Sequence, residues 1–225
     1  MHWYKLGKSE VIKNLGISME IGLTDLEVKR RLERYGKNEL KEKAKESFLS
    51  KLINQFSDFL VVILIAAALI SMFLGESRDS IVILAIVLIN AFLGIYQEGK
   101  AEKALEALQQ MTSPTAKIIR NKHLDEIPTS NIVPGDLVVL EVGDIVPADI
   151  RLVESSNLKI DEASLTGESV PVEKNSNMLY KEDIPLGDRE NMAYMATVIT
   201  YGRARGLAVG TGHDTEIGKI ATQIQ

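Results

Sequence analysis

Two stretches near the middle of the chain carry no formal charge: seventeen residues, FLVVILIAAALISMFLG, between Asp58 and Glu76, and eighteen, SIVILAIVLINAFLGIYQ, between Asp79 and Glu98. A helix rises about 1.5 Å per residue, so these runs reach roughly 25–27 Å. That is slightly short of a hydrocarbon core about 30 Å thick, but workable when flanking polar side chains snorkel. Only Ser71, Ser80, Asn90 and Gln97 interrupt them, whereas a helix on a soluble surface keeps a polar stripe. The pattern predicts a two-helix transmembrane hairpin over residues 56–97, with spans at about 59–75 and 80–97. A buried hairpin in a soluble core is the alternative. Asn90 is read as a hydrogen-bonding contact to a neighbouring helix, with a functional polar site in the membrane as the other choice.

The flanks change period twice. Before the hairpin, Thr24 stands where an N-cap belongs and Glu27 three residues on would close a capping box. Leu23, Leu26, Val28, Leu32 and Tyr35 recur at helical spacing until Gly36 stops the helix. KEKAKES at 41–47 reads as a solvated linker, or else as a lipid-headgroup contact. After the second run, Ala101, Ala104, Leu105 and Leu108 keep a helical spacing, which extends the membrane helix into an amphipathic stalk over residues 98–112, ended by Pro114. An ordinary domain helix would read the same way.

From residue 115 the period is two. AKIIR, DLVVLEV, DIRLVES, MATVIT and GLAVGTG are Val- and Ile-rich, and are separated by turn residues such as Asn121-Lys122, Pro134-Gly135-Asp136 and Tyr201-Gly202. Short strands at this spacing predict a distorted β sandwich or roll, closed by a helix from Thr215 to Ala221 with Asp214 and Thr215 as capping candidates. The fold class is therefore α+β.

Charge assigns sides to the hairpin. Lys41, Lys43, Lys45 and Lys51 precede the first run and Lys100 and Lys103 follow the second, while the connection offers only Arg78. The positive-inside rule puts both ends in the cytoplasm, making this a multi-pass protein of the cell membrane. The net charge of −5 gives no footprint for nucleic acid. The absence of cysteine removes disulfides, thiolate metal sites and a cysteine nucleophile.

Candidate chemistry concentrates in DEASLTGESVPVEK, residues 161–174, where Asp161, Glu162, Glu168 and Glu173 surround a Thr-Gly-Glu-Ser turn. Gly167 permits a tight bend that would project Glu168 from a loop tip, flanked by the hydroxyls of Thr166 and Ser169. Such a carboxylate suits a general base or a group that positions water, yet spacing alone also fits a solvated acidic loop. His2, His123 and His213 share no metal-ligand spacing and read as surface residues. No GxxxxGK[ST] loop is present, and the glycines of GLAVGTG read as close-packing strand positions, so no ATP site is legible.

The TGES turn, with DEASL before it and VPVEK after it, resembles that of the P-type ATPases. GLTDLEVKRRLERYGKNEL is similar to their N-terminal cation-ATPase segment and NAFLGIYQEGKAEKALEAL to the second membrane helix of the calcium-pump branch. VPGDLVVLEVGDIVPADIRLVES, NMAYMATV and TGHDTEIGKIA resemble the front and the close of the actuator domain. The resemblance implies an N-terminal segment at 1–55 belonging to a cytoplasmic actuator domain, the membrane hairpin and stalk inserted into that domain, and the rest of the actuator at 113–225. It also implies a pump cycling through an aspartyl phosphate, in which Glu168 positions and deprotonates the hydrolytic water while Thr166, Gly167 and Ser169 shape its approach. The chain itself would need no cofactor. ATP and Mg2+ are implied for the complete pump, and the implied partners are the lipid bilayer, the phosphorylation and nucleotide-binding domains and the transported cation.

Two departures stand out. The family places Gly where this chain has Ala196, adding a methyl at a point where a backbone could pass closely. No DKTGT phosphorylation loop occurs in the 225 residues, so alone they are expected neither to hydrolyse ATP nor to form a phosphoenzyme. The sequence thus fits the N-terminal portion of a pump, with calcium as the cation, or alternatively a stand-alone membrane-anchored module that binds or regulates a pump without catalysis. A reading frame continuing into a DKTGT segment separates the two.

Overall fold

In the computed structural model, which describes residues 2–40, 52–53, 56–57, 59–75, 77–111 and 114–224, the alternating segments after Pro114 pair into one antiparallel sheet. Its strands are β1 (Thr115–Arg120), β2 (His123–Pro128), β3 (Leu137–Glu141), β4 (Asp149–Asp161), β5 (Val172–Lys174), β6 (Met192–Ala193) and β7 (Val198–Gly210). The order is β2-β1-β3-β7-β4-β5, with β6 beside β4. The helices are α1 (Lys8–Leu15), α2 (Asp25–Tyr35), α3 (Phe59–Phe73), α4 (Ser77–Met111), α5 (Ala163–Thr166) and α6 (Glu216–Ile224). The described residues up to 40 and from 114 onward form one compact unit, and the apolar helices form another.

The expected sandwich or roll is a single sheet because β4 and β7 run 13 residues each and pair along most of their length. Their register slips at several points, as at Leu152/Glu154 and Ser156/Lys159, and such bulges bend a strand and increase its twist. Segments read from sequence as two strands, MATVIT and GLAVGTG, supply the two ends of β7, with Met195 and Ala196 left in a turn before it. The edge strand β2, HLDEIP, is mostly exposed and lacks the apolar alternation that marks a half-buried strand.

Successive residues face opposite sides of the sheet. Val138, Leu140, Ile150 and Leu152 enter one core with Ile118, Leu158, Ile160 and Ile199. Their neighbours Leu137, Val153 and Leu207 face the other side, where Val11 of α1 packs with Trp3, Leu6, Ile12 and Leu15. Residues separated from the sheet by the whole apolar segment thus close its second face.

Helix α2 starts at the expected cap, the Glu27 N–H donating to Thr24 Oγ1 at 3.4 Å, but the Glu27 carboxylate pairs with Arg31 at 2.8 Å. Leu26 and Tyr35, expected on an apolar face, are exposed. Polar contacts dock this region instead. Arg31 donates to the Leu15 and Pro134 carbonyls, each at 2.7 Å, and buried Asn38 donates to those of Thr129 and Pro147 while accepting from the Gly212 N–H.

In the second unit α3 and α4 are joined through Leu74 and Gly75 and pack on each other through Val61, Ala68, Val87 and Ala91, while most other side chains are exposed and apolar. Ser77–Lys100 of α4 is long and apolar enough to cross a membrane; the apolar run of α3, Val61–Phe73, is shorter. At about 1.5 Å per residue the 15 residues of α3 reach roughly 22 Å. Of the two expected spans, only the second meets the length of a bilayer core unaided. Asn90 is exposed. Helix α4 continues unbroken through the expected stalk to Met111. The side chains at 104–111, and the linker at 41–47, lie outside the described residues.

Candidate functional site

The loop between β4 and β5 is built from its stems inward. Lys159 pairs with Glu173 and Ile160 with Val172, so the chain leaves and re-enters the sheet side by side. At the outgoing stem Asp161 accepts the Ala163 N–H at 3.0 Å, capping the single turn α5. The Glu162 carbonyl receives the N–H groups of Leu165 and Thr166, both at 2.9 Å, and the Thr166 hydroxyl at 3.1 Å. Gly167 ends the turn in the left-handed region at φ 78°, a conformation that costs an L-residue about 1–2 kcal/mol. Beyond it Glu168, Ser169 and Val170 are exposed. The Glu168 N–H donates to Thr166 Oγ1 at 3.2 Å, linking the tip to the turn below.

The four carboxylates of this connection therefore have different positions. Asp161 is a cap, Glu168 and Glu173 are exposed, and Glu162 is fully buried in an ion pair with Lys174, Nζ to Oε1 at 2.7 Å. The approach is poorly directed for a hydrogen bond, and among the described residues neither Glu162 oxygen has such a partner. Burial pushes the Glu162 carboxyl above its ordinary range and the Lys174 amine below, against their mutual attraction. Lys174 also donates to the Arg189 carbonyl at 3.3 Å and stands 5.8 Å from the Tyr194 ring centroid. Leu165 packs with Tyr4, Met192, Tyr194, Ile184 and Leu186, so apolar contacts support the same base.

Sequence reasoning missed that pair and a second buried cation, Arg151. Its guanidinium donates to the carbonyls of Leu6 at 3.0 Å and of Ser176 and Asn191 at 3.3 Å, and burial lowers its pKa to about 10. It joins the N-terminal segment to the loops after β5. Period two held a signal for both cations: Arg151 shares a strand face with Val153, and Lys174 with Val172, each an apolar face that reads inward.

Asp149 ties the other end of the site's scaffold, accepting the Met195 N–H at 3.0 Å and the Glu216 N–H at 2.8 Å. Burial raises its pKa to about 6, opposed by those two hydrogen bonds. The expected cap of the last helix is present, the Gly218 N–H donating to Thr215 Oγ1 at 3.0 Å. Ala196 differs from expectation. The residue is exposed, and what sets it apart is φ 67°, the left-handed region. Of the histidines, His2 and His123 are exposed while His213 is half-buried and contacts the Thr222 hydroxyl at 3.3 Å. Among the described residues no group of three or more His, Asp or Glu is placed to hold a metal ion.

Residues 110–225 match the family described as the P-type ATPase actuator domain, and residues 3–71 match the cation transporter/ATPase N-terminus. The chain is 47% identical, over 98% of its length, to a protein named calcium-transporting ATPase 1 from Bacillus cereus, and 44% identical, over its whole length, to the calcium-transporting ATPase of Bacillus subtilis. It is 42% identical, over 92% of its length, to the sodium/potassium exporting P-type ATPase cta3 of Schizosaccharomyces pombe. It spans about a quarter of the two Bacillus proteins, 25% of each, and 20% of the yeast protein. The N-terminal segment, apolar helices and actuator domain together place this chain in the P-type ATPase family, as the N-terminal portion of such a protein.

Proposed function

We propose that this chain is the N-terminal part of an ATP-driven cation pump whose actuator domain hydrolyses an aspartyl-phosphate intermediate and couples that step to ion translocation. The observation that carries the reading is Glu168, an exposed carboxylate at the tip of a loop whose base is fixed by hydrogen bonds and apolar packing. Glu168 takes a proton from water as the water oxygen bonds to phosphorus and the bond from phosphorus to the aspartate oxygen breaks, releasing inorganic phosphate. Thr166 holds the Glu168 N–H, Gly167 makes the bend, and Ser169 adds a hydroxyl beside the carboxylate. ATP with Mg2+ supplies the phosphoryl group through the phosphorylation and nucleotide-binding domains, which are partners of this chain in the complete pump.

Helices α3 and α4 then form a multi-pass hairpin in the cell membrane with both flanks cytoplasmic. The lysines on either side of the hairpin, against the single Arg78 between its helices, support that orientation. The unbroken helix from the membrane segment to Met111 suits it to transmit actuator movement. Calcium is the proposed cation, from the names of the Bacillus relatives.

The complete pump tests both parts. Glu168→Gln should slow phosphoenzyme breakdown by roughly 10²–10⁴-fold, the usual contribution of a positioned base, and leave its formation intact. Unchanged decay would remove the role given to Glu168. Stimulation of ATP hydrolysis by calcium is expected; stimulation by sodium or potassium instead would reassign the cation.

A further inference from the structure

The proposed chemistry makes no use of a fully buried ion pair beneath the loop, Glu162 with Lys174. We infer that this pair is a positioning clamp that fixes where Glu168 stands, by cross-linking the outgoing and returning stems of the loop at its root. The inference rests on the role proposed for Glu168.

Four observations support it. Glu162 stands immediately before α5 and Lys174 ends β5, so the pair spans the two stems. The main chain of Glu162 also carries the turn, its carbonyl accepting three hydrogen bonds from Leu165 and Thr166. Thr166 in turn accepts the Glu168 N–H, so two hydrogen-bonded steps, Glu162 to Thr166 and Thr166 to Glu168, connect clamp and tip. Lys174 is itself fixed from a third side by the Arg189 carbonyl.

Stability is a poor reason for such a pair. Two charges with no well-directed hydrogen bond between them lose their hydration on burial, and apolar residues of similar volume often serve a fold equally well or better. What a buried pair supplies is a single arrangement, because sliding either stem separates charges that have no water to replace the partner. Positioned carboxylates need that constraint, since a displacement of about 1 Å can cost on the order of 10²-fold in rate.

The test is a double-mutant cycle in the complete pump with Glu162→Gln, Lys174→Met and the two combined, measuring phosphoenzyme formation and decay separately, with Glu168→Gln as reference. Each single change should slow decay roughly tenfold while formation stays within about twofold. The combined variant should be no slower than the worse single, because both changes break one tie. Normal decay in both singles would overturn the inference. So would single effects that multiply in the double, or formation falling in step with decay, which marks a fold element and not a clamp. If Glu168→Gln leaves decay unchanged, it is the role of Glu168 that fails. If it slows decay and the pair variants do not, the clamp alone is wrong.

Discussion

Replacing Ala196 by glycine should stabilise the actuator unit, although it deletes a side-chain atom. Ala196 is the third residue of a turn in which the Thr197 N–H donates to the Tyr194 carbonyl at 3.3 Å, and its φ of 67° is the value a type II turn requires at that position. The conformation is imposed from several sides. The Ala196 N–H donates to the Val146 carbonyl and the Val146 N–H to that of Thr197, both at 2.9 Å, while the Thr197 hydroxyl donates to the Tyr194 carbonyl at 2.7 Å. Left-handed backbone costs an L-residue about 1–2 kcal/mol, and glycine is free of that cost. Against this, glycine gives the unfolded chain extra freedom worth about 0.4–1 kcal/mol. The methyl is exposed, so its loss forfeits no buried contact. The net gain is about 0.5–1 kcal/mol, an increase of roughly 1–4 °C in Tm for a unit of this size. Trp3, the sole tryptophan, packs against both Val11 and Tyr4 clusters, so its fluorescence during thermal unfolding in detergent reports this unit. Ala196→Val is the opposing control and should lower Tm, because a β-branched residue tolerates positive φ least. A Tm for Ala196→Gly at or below that of the parent, with Ala196→Val neutral, would refute the assignment of strain to this turn.

Two further changes probe the scaffold around the loop. Asp149 has its folded pKa raised to about 6, so the folded state binds a proton more tightly than the unfolded chain. Its stabilising contribution is therefore full below about pH 4 and is lost as pH rises through about 6, amounting to roughly 2–3 kcal/mol. Asp149→Asn should flatten the stability profile between pH 4 and 6 in urea unfolding followed at Trp3; an unchanged slope would show that the carboxyl does not titrate in that window. Arg151→Met keeps an apolar stem of similar reach but leaves the Leu6 and Ser176 carbonyls without that donor. It should destabilise the unit by about 2–4 kcal/mol and expose the N-terminal segment to protease, and an intact segment at equal protease dose would contradict the tie assigned to Arg151.

What the sequence reveals follows from the range of each interaction. Caps are local, and Thr24 and Thr215 are readable because the side chain and the N–H it accepts lie three residues apart. Strand period is local too, and it locates β1, β3 and the front of β4. The joining of two predicted strands into β7 is not local. It depends on β3 and β4 continuing to offer partners past Arg203 and Arg205, whose charges interrupt the apolar pattern. The partners of Arg31, Asn38, Arg151 and the Glu162–Lys174 pair are illegible for the same reason, although strand period places Arg151 and Lys174 on inward faces. Each is polar, and polar residues read as solvated until a distant carbonyl or carboxylate is known to be waiting. Ala196 stands out in the sequence as a departure from glycine, but a residue type does not reveal its φ.

The loop's division into a fixed base and an exposed tip has an energetic consequence for the proposed role of Glu168, which would act at a site on another domain. Ordering backbone costs about 1–2 kcal/mol per residue. Residues 162–166 are already held in the unit by the turn, the buried pair and the Leu165 contacts. Docking the tip into another domain then has to order only the few exposed residues from Gly167 onward, and a penalty on the order of 5–10 kcal/mol for the base falls on folding, not on each catalytic cycle. A loop loose throughout would meet that cost at every docking, and a loop rigid throughout could not adjust to a partner surface. The arrangement of charges, a buried one at the root and an exposed one at the tip, separates the residue that sets position from the residue that would perform chemistry.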